Sequence, residues 1–315
     1  MGENVKQLVI LSGKGGTGKT SLAAAFAHLA HAGPSPLKVV LADADVDASN
    51  LELVLHPHKI ETHDFTGGSL AVIDKSLCEG CGICEQVCRF DAIGPPSTIR
   101  NGSNGNAYTV DPVACEGCAA CVYQCPEDAI HMQPQLAGQW FRSESRYGTL
   151  FHANLYPAQE NSGKLVTVVK QNARLLALDT NCQAVIVDGP PGIGCSVISA
   201  ASGADLALIV TEPSAAGIYD LERVLQMTAH FRVLTLVVIN KADIYPEGAK
   251  QIENICQELG VEIIGNIPFD ATVTEAMMNG EPVSVYRPDT PASQELVEIW
   301  KTIAIRLNGV QNEHD

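Results

Sequence analysis

The fold of this chain is decided by the stretch Gly13-Lys14-Gly15-Gly16-Thr17-Gly18-Lys19-Thr20. An apolar run at residues 7–11 precedes it, and an Ala- and Leu-rich segment that ends at Gly33-Pro34 follows it. The spacing is G-x-x-x-x-G-K-[ST], between the strand and the helix that this motif requires. Glycines let backbone N–H groups turn toward phosphates, and a helix N-terminus adds a favourable dipole. The stretch therefore predicts a phosphate-binding loop; a plain glycine-rich turn is the alternative.

The residue types in this loop predict how a nucleoside triphosphate binds there with Mg²⁺. Lys19 should reach the β- and γ-phosphates, and the Thr20 hydroxyl should ligate Mg²⁺. We expect the nucleotide-binding set to be Gly13, Lys14, Gly15, Gly16, Thr17, Gly18, Lys19, Thr20 and Ser21.

The rest of the chain alternates apolar runs with helical segments. Apolar runs lie at 37–42, 184–187, 206–210 and 234–239, and helical patterns lie near 162–178, 219–230, 248–258 and 291–307. This alternation is typical of βαβ units. We therefore predict an α/β P-loop fold with a mostly parallel sheet. Acidic residues that follow the second run then lie at the carboxyl edge of the sheet, where such folds bind ligands.

Eight of the eleven cysteines repeat the spacing C-x2-C-x2-C-x3-C twice. The first repeat is Cys78, Cys81, Cys84 and Cys88, and the second is Cys115, Cys118, Cys121 and Cys125. This is the ligand pattern of a ferredoxin with two [4Fe-4S] clusters, in which the fourth cysteine of each repeat closes the other cluster. Cluster one should use Cys78, Cys81, Cys84 and Cys125, and cluster two Cys115, Cys118, Cys121 and Cys88. Two four-cysteine zinc sites and disulfides are the alternatives.

The cysteine repeats interrupt the α/β pattern. We predict a ferredoxin-like α+β insert at 66–136, with a turn-rich link at 101–106, inside a discontinuous ATPase domain at 1–65 and 137–315. Residues 137–160 are interpreted as a connector. Each repeat is followed by an Asp-Ala-Ile sequence, which indicates internal pseudo-symmetry. The remaining Cys182, Cys195 and Cys256 are expected to be buried thiols.

The charge and hydropathy of the chain exclude some classes of binding partner. The formal net charge is −16, which argues against nucleic acid or an anionic membrane as the main partner. No apolar run approaches the ~20 residues that span a bilayer, so no membrane insertion is expected. The first residues lack the features of a signal peptide, and the expectation is a cytoplasmic protein.

Ser12–Thr20, with its additional Lys14, resembles the deviant phosphate loop of the superfamily of MinD, ParA, Mrp and the nitrogenase iron protein. The resemblance implies a homodimer in which two subunits face each other across two nucleotides. Lys14 would then contact the nucleotide of the other subunit, so that catalysis depends on dimerisation. A solvated loop lysine is the alternative.

Further segments resemble other parts of that superfamily. Residues 43–51 are similar to its first switch, which implies that Asp45 positions the attacking water and that Asp43 lies near Mg²⁺ through water. Residues 185–192 are similar to its Walker B strand and second switch, which implies that Asp188 holds the Mg²⁺ shell. Residues 240–243 resemble its base-recognition segment and 267–270 its adenine-flanking loop. The base-binding residues implied are Asn240, Lys241, Pro268 and Asp270.

The whole chain resembles ATPases of this superfamily that contain an inserted ferredoxin domain. The leading hypothesis is a dimeric Mg²⁺-dependent ATPase, slow without a partner, coupled to electron transfer through two [4Fe-4S] clusters. An iron–sulfur or metal-cofactor assembly factor and a localisation or scaffold ATPase are the alternatives. Oxidised clusters would add negative charge to the insert, so a redox or assembly partner with a basic docking face is expected.

Overall fold

The computed structural model describes residues 5–95, 107–157 and 161–309. The predicted link at 101–106 lies outside these ranges. The strands are β1 (Lys6–Ser12), β2 (Val39–Asp43), β3 (His58–Ile73), β4 (Ile93–Gly94), β5 (Thr109–Val110), β6 (Ile130–Ser145), β7 (Gly148–Leu155), β8 (Ala184–Pro191), β9 (Leu206–Thr211), β10 (Leu234–Asn240) and β11 (Glu262–Ile267).

The helices alternate with these strands along the chain. They are α1 (Lys19–Ala32), α2 (Leu51–Leu55), α3 (Ile83–Val87), α4 (Ala120–Gln124), α5 (Ser162–Asp179), α6 (Cys195–Ala201), α7 (Ala215–His230), α8 (Pro246–Leu259), α9 (Ala271–Met278), α10 (Val283–Tyr286) and α11 (Pro291–Leu307). No helix in the described ranges combines the length and the apolar character that a membrane span requires.

Two compact units divide the chain. The first comprises the described residues of Met1–His63, Gln139–Asn154 and Ser162–Asp315, and the second comprises those of Asp64–Gly138 and Leu155–Asn161. Unit boundaries fall within β3, within β6 and before the last residue of β7, so that these three strands contribute residues to both units.

The first unit contains a mostly parallel sheet. The described strands have the order β11-β10-β9-β1-β8-β2-β7-β6-β3. β1 pairs in parallel with β8 and with β9, and β2 pairs in parallel with β8 and with β7. The central strands are buried along nearly their whole length, as expected when helices cover both faces of a parallel sheet. This arrangement confirms the predicted α/β class.

The last helix completes the core of this unit. Leu296, Ile299, Trp300 and Ile303 of α11 are all buried, as their helical spacing predicts. The rings of Trp300 and Phe26 lie 5.4 Å apart between centroids, which packs α11 against α1.

The prediction of a connector at 137–160 is wrong, because β6 and β7 occupy most of it. Leu150, Phe151, His152 and Ala153 of β7 are buried, whereas β6 mixes buried, half-buried and exposed positions. Polar residues in β6 obscured the period-two pattern that would have predicted a strand. At the turn between the strands, Ser145 Oγ donates a hydrogen bond of 2.7 Å to the Gly148 carbonyl.

The second unit is built from two similar halves. The Asp74 N–H donates to the Ala129 carbonyl at 2.7 Å, and the Asp111 N–H donates to the Ala92 carbonyl at the same distance. Each half therefore hydrogen-bonds to residues that follow the fourth cysteine of the other half. β4 and β5 pair antiparallel, and the buried Ala71, Ile93 and Ile130 pack with Cys84 and Cys121 in a small core.

Candidate nucleotide site and cysteine cavities

The phosphate loop connects β1 to α1 in a conformation that glycine favours. Gly16 has φ of 76° and Gly18 of 99°, the left-handed region that side chains disfavour. A Cβ atom on Gly18 would lie 2.5 Å from Asn240 Nδ2, so only glycine fits there without movement of Asn240. Lys19 Nζ donates to Ser12 Oγ at 2.8 Å across the loop. Burial lowers the pKa of Lys19, and Asp188, Asp45 and Asp43 oppose this effect.

A cavity of about 700 Å³ opens above this loop. The predicted site residues that line it are Gly15, Gly16, Gly18, Lys19, Thr20, Ser21, Asp45, Asn240, Lys241, Pro268 and Asp270. Its volume lies within the ordinary range for small-molecule sites. The predicted Gly13, Lys14, Thr17, Asp43 and Asp188 are not among its lining residues. The structure therefore brings the loop, one carboxylate of the first switch and the base segments together around one cavity.

Asp43 and Asp188 lie side by side beneath the loop. They are Cα partners in the β2–β8 ladder, and both are almost completely buried. Asp43 accepts hydrogen bonds from Ser49 Oγ at 2.7 Å and from the Leu51 and Asp45 N–H groups at 3.1 Å. Burial raises the pKa of each carboxyl, and their mutual repulsion adds to the pKa of Asp188.

Asp188 carries the stronger indication of a cation. Both of its carboxylate oxygens are buried without a well-formed hydrogen bond. An orphaned buried carboxylate is costly unless a partner compensates it. Two carboxylates beside the Thr20 hydroxyl form the oxygen-rich donor set that suits Mg²⁺. The residues present therefore fit the metal that the phosphate loop implies.

Asp45 lies closer to solvent, where it lines the cavity. Burial raises its pKa, and the charge of Lys19 opposes that increase. Its carbonyl accepts a hydrogen bond from the Ala48 N–H at 3.1 Å, which closes a turn after β2. Asp47 and Ala48 in this turn also line the cavity, whereas Val46 is buried.

The base segments contact the phosphate loop directly. Asn240 Nδ2 donates to the Thr17 carbonyl at 2.7 Å, which ties the end of β10 to the loop. The Phe269 N–H donates to Asp243 Oδ1 at 2.6 Å, which joins the two base segments. Asp270 accepts from the Thr272 N–H at 2.9 Å as the N-cap of α9, so its carboxylate also has a structural role.

Lys14 points away from the cavity, toward a residue that sequence reasoning missed. Lys14 Nζ forms an ion pair with Glu212 Oε1 and lies 3.2 Å from Ser214 Oγ. Lys241 Nζ lies 3.1 Å from the other oxygen of Glu212. The sequence could have indicated Glu212 only by its place after an apolar run. It follows the buried strand β9 directly, at the carboxyl edge of the sheet, where such folds bind ligands.

The eight repeated cysteines line two separate cavities in the second unit. The first cysteine cavity, of about 20 Å³, is lined by Cys78, Cys81, Cys84 and Cys125. The second cysteine cavity, also of about 20 Å³, is lined by Cys88, Cys115, Cys118 and Cys121. Each cavity thus combines three close cysteines of one repeat with the fourth cysteine of the other.

Each cysteine cavity offers four thiols, the donor set that suits either an iron–sulfur cluster or a four-cysteine zinc site. Among the described residues, no three Cys, His, Asp or Glu side chains converge on one metal position. All eleven cysteines are free in the structure, without disulfides.

The other three cysteines differ in exposure. Cys182 and Cys256 are buried, as predicted, but Cys195 is exposed. The prediction for Cys195 is wrong because it occupies the first position of α6, directly after Gly194, where the helix enters from a loop. Residues further along this helix, such as Val197 and Ala200, face the core instead.

Comparisons with known proteins agree with this geometry. The model of the CobQ/CobB/MinD/ParA nucleotide binding domain matches residues 8–283. The Methanocaldococcus jannaschii protein MJ0578 is 29% identical over 300 residues, which cover 95% of this chain and 96% of that protein. The iron-sulfur cluster carrier protein of Pyrococcus horikoshii is 29% identical over 143 residues, which cover 41% of this chain and 48% of the carrier.

A solved structure shows the same fold. The septum site-determining protein MinD from Pyrococcus horikoshii, complexed with Mg-ADP, aligns with a TM-score of 0.57. The alignment covers 99% of this chain and 100% of that one, at 18% identity. Such a likeness concerns the fold of the chain and leaves its activity to be argued from the site.

Proposed function

This chain belongs to the CobQ/CobB/MinD/ParA nucleotide-binding family, and from that premise we propose that it hydrolyses ATP as a homodimer and couples hydrolysis to electron transfer through two [4Fe-4S] clusters. The family and the fold support an ATPase in general. Dimerisation, the clusters and the coupling are our proposals. The observation that carries them is the partition of the eight cysteines into two four-thiol cavities in a chain that also contains the nucleotide cavity.

The residues at the nucleotide cavity have different roles in phosphoryl transfer. Lys19 binds the β- and γ-phosphates, and backbone N–H groups of the loop surround them. Thr20, Asp43 and Asp188 hold Mg²⁺, partly through water, which neutralises charge on the phosphates when it is bound. Asp45 orients the attacking water from the rim of the cavity. Asn240, Lys241, Pro268 and Asp270 surround the base.

Lys14 makes hydrolysis depend on a second copy. Because phosphoryl transfer relies on positioning and charge stabilisation, one additional ammonium group at the phosphates has a large effect on rate. In its own subunit Lys14 lies outside the nucleotide cavity. We infer that it acts on the nucleotide of the partner, and that hydrolysis is slow in the monomer.

The second unit supplies the ligands of the two clusters, in the sets that line the two cysteine cavities. Bound clusters supply one-electron transfer. The apolar walls of the first cysteine cavity include Ile73, Ile83 and Ile130, and they would shield one side of a bound cluster from water, whereas Cys81 is exposed. The Ala129 N–H donates to Cys125 Sγ at 3.3 Å, and such a hydrogen bond to a ligand sulfur tunes its charge.

The negative charge of the second unit predicts a partner protein with a basic surface. Residues 64–138 contain nine Asp and Glu against three Lys and Arg, and bound clusters add further negative charge. An electron-exchange partner with a basic docking face would approach this unit at an electrostatically increased rate. Its association should weaken as salt rises, because salt screens exposed charges.

The proposal is tested by measuring both cluster potentials by redox titration with ADP and with a non-hydrolysable ATP analogue. We expect at least one potential to differ between the two nucleotide states, because the predicted first switch leads through α2 and β3 toward Cys78 within a single stretch of chain. Lys19→Ala, which removes the phosphate contact, should abolish the difference. Identical potentials and identical electron-transfer rates in both states would overturn the coupling.

A second candidate is an ATP-dependent cluster carrier. It is favoured by the relatives named iron-sulfur cluster carrier proteins, although this chain spans about half of their length. If this chain is a carrier, its clusters should move to an apo-protein acceptor, and Lys19→Ala should block the transfer. If it is an electron carrier, both clusters should remain bound after many cycles of oxidation and reduction. Counting iron in donor and acceptor after mixing separates the two functions.

A further inference from the structure

Lys14 is held inside its own subunit by a defined set of contacts. Its ammonium group forms an ion pair with Glu212 and lies 3.2 Å from Ser214 Oγ. Its side chain is 30% exposed, and that of Glu212 only 16%. Lys14 and Glu212 are 198 residues apart in sequence, and the neighbouring strands β1 and β9 bring them together.

Glu212 is balanced by a second lysine that does line the nucleotide cavity. Lys241 Nζ lies 3.1 Å from Glu212 Oε2 and 3.5 Å from the Gly16 carbonyl. Burial opposes ionisation of Glu212, but the hydrogen bonds from Lys14 and Lys241 outweigh it and keep its pKa below the usual range. Glu212 is therefore a carboxylate shared between the predicted dimer lysine and the base segment.

The segment that carries Glu212 is held in place by its own hydrogen bonds. Ser214 Oγ accepts from the Gly217 N–H at 3.1 Å and caps α7. Thr211 Oγ1 donates to the Gly217 carbonyl at 3.1 Å. A Cβ atom on Gly217 would lie 2.3 Å from the Glu212 carbonyl oxygen, which shows how closely the two backbones approach. Glu212 is thus presented to Lys14 by a turn with little freedom.

The base of Lys14 is packed against the same region. A Cβ atom on Gly13 would lie 2.2 Å from Asp220 Cβ, so the loop backbone contacts α7 directly. The beginning of the phosphate loop and the segment from Glu212 to Asp220 therefore form one contact surface. A movement of Lys14 toward a second subunit must break the ion pair with Glu212.

We propose that Glu212 is a latch that retains Lys14 within its own subunit and releases it when two ATP-loaded copies associate. This inference rests on the proposed dimeric ATPase and adds its regulation. A nucleotide that engages Lys241 in the cavity competes with Glu212 for one of its two cations. The phosphates of a second copy then compete for Lys14, and they carry more negative charge than one carboxylate. The latch sets the ATP concentration at which dimers form.

The test compares Glu212→Gln with Glu222→Gln. Glutamine keeps the size and polarity of the side chain but removes the charge. Glu222 is an exposed residue of α7 without an assigned role, so its variant is a matched control. The first measurement is the rate at which an amine-reactive ester acylates Lys14 without nucleotide, followed by mass spectrometry. The second is the ATP concentration for half-maximal dimer, determined by analytical ultracentrifugation.

For Glu212→Gln we expect Lys14 to be acylated about tenfold faster and dimers to form at about tenfold lower ATP, because a charge-assisted hydrogen bond contributes by that order. Basal ATPase activity should rise, and adding Lys14→Ala should cancel the increase. Glu222→Gln should match wild type in each measurement. Unchanged acylation, or weaker dimerisation with faster acylation, would overturn the latch. A third result concerns the dimer itself. If wild type forms no dimer with ATP, although Glu212→Gln still speeds acylation of Lys14, then the proposed dimeric ATPase is refuted. The proposed release of Lys14 to a second copy is refuted with it.

Discussion

Replacing Cys125 by serine is the sharpest perturbation of the cysteine cavities. Cys125 belongs to the second repeat in sequence but lines the first cysteine cavity. Cys125→Ser should therefore remove one of four ligands from the cluster held by the first repeat. After anaerobic reconstitution, iron should fall from about eight to about four atoms per chain, because one [4Fe-4S] cluster is lost and the other retains all its thiolates.

The identity of the remaining cluster decides the ligand sets. Cys125→Ser should leave the same electron paramagnetic resonance spectrum as Cys84→Ser, which affects the same cavity. Cys88→Ser should instead match Cys121→Ser, because both residues line the second cysteine cavity. Cys195→Ser, at an exposed cysteine outside both cavities, should retain about eight irons. If Cys125→Ser left the spectrum of Cys121→Ser, the ligand sets would follow sequence order and our reasoning would be refuted.

Three further predictions concern the first unit. Burial lowers the pKa of His152 from 6.5 to about 4, with Lys59 adding to the effect. As the pH falls, the unfolded chain therefore takes up a proton on His152 before the folded chain does. The free energy of unfolding should fall by at most about 3 kcal/mol between pH 7 and pH 4, because Glu52 Oε2, 3.1 Å from His152 Nδ1, favours the protonated ring in the folded chain. Urea unfolding across that range should show a smaller loss in His152→Gln; an equal loss would contradict the assignment. Lys170 Nζ donates to the carbonyls of Ser199, Ala200 and Ser202 at the end of α6, at 2.6 to 2.8 Å. Lys170→Met should lower the free energy of unfolding by about 2–4 kcal/mol, and with it the midpoint of urea unfolding, because buried carbonyls lose their hydrogen-bond donor. An unchanged midpoint would show that water replaces the Lys170 ammonium group as donor. Asn240→Ala removes the 2.7 Å hydrogen bond to the Thr17 carbonyl and should weaken ATP binding about tenfold. Titration calorimetry measures this affinity. An unchanged affinity would mean that Asn240 does not help to hold the phosphate loop.

Some features were predictable because their information is local. The phosphate loop needs glycine at fixed positions and a lysine before the helix, and both requirements lie within nine residues. The central strands were predictable because burial on both faces demands nearly continuous apolar runs. β6 was missed because it mixes polar and apolar residues without regular alternation. Cys195 was misjudged because its exposure depends on where α6 begins.

The candidate site shows the same division. Lys19, Thr20 and Asp45 line the nucleotide cavity as their motifs predict. Glu212 could not be predicted by motif, because its importance comes from a contact with Lys14 across 198 residues. The adjacency of Asp43 and Asp188 likewise depends on β2 and β8 being neighbours in the sheet.

The sequence by itself determined the chemistry of this protein: a phosphate loop, carboxylates at strand ends and eight thiols in two repeats. Residue type and short spacing are sufficient for these, because they set which atoms can bind phosphate, Mg²⁺ or iron. Only the tertiary structure decided which of these side chains contact one another. It placed Lys14 on Glu212 and left the oxygens of Asp188 buried without well-formed hydrogen bonds. It also placed Asp43 beside Asp188 in neighbouring strands. The physical reason is that ion pairs and metal sites require contacts of a few ångströms, and strand order and chain crossing set those distances rather than separation in sequence.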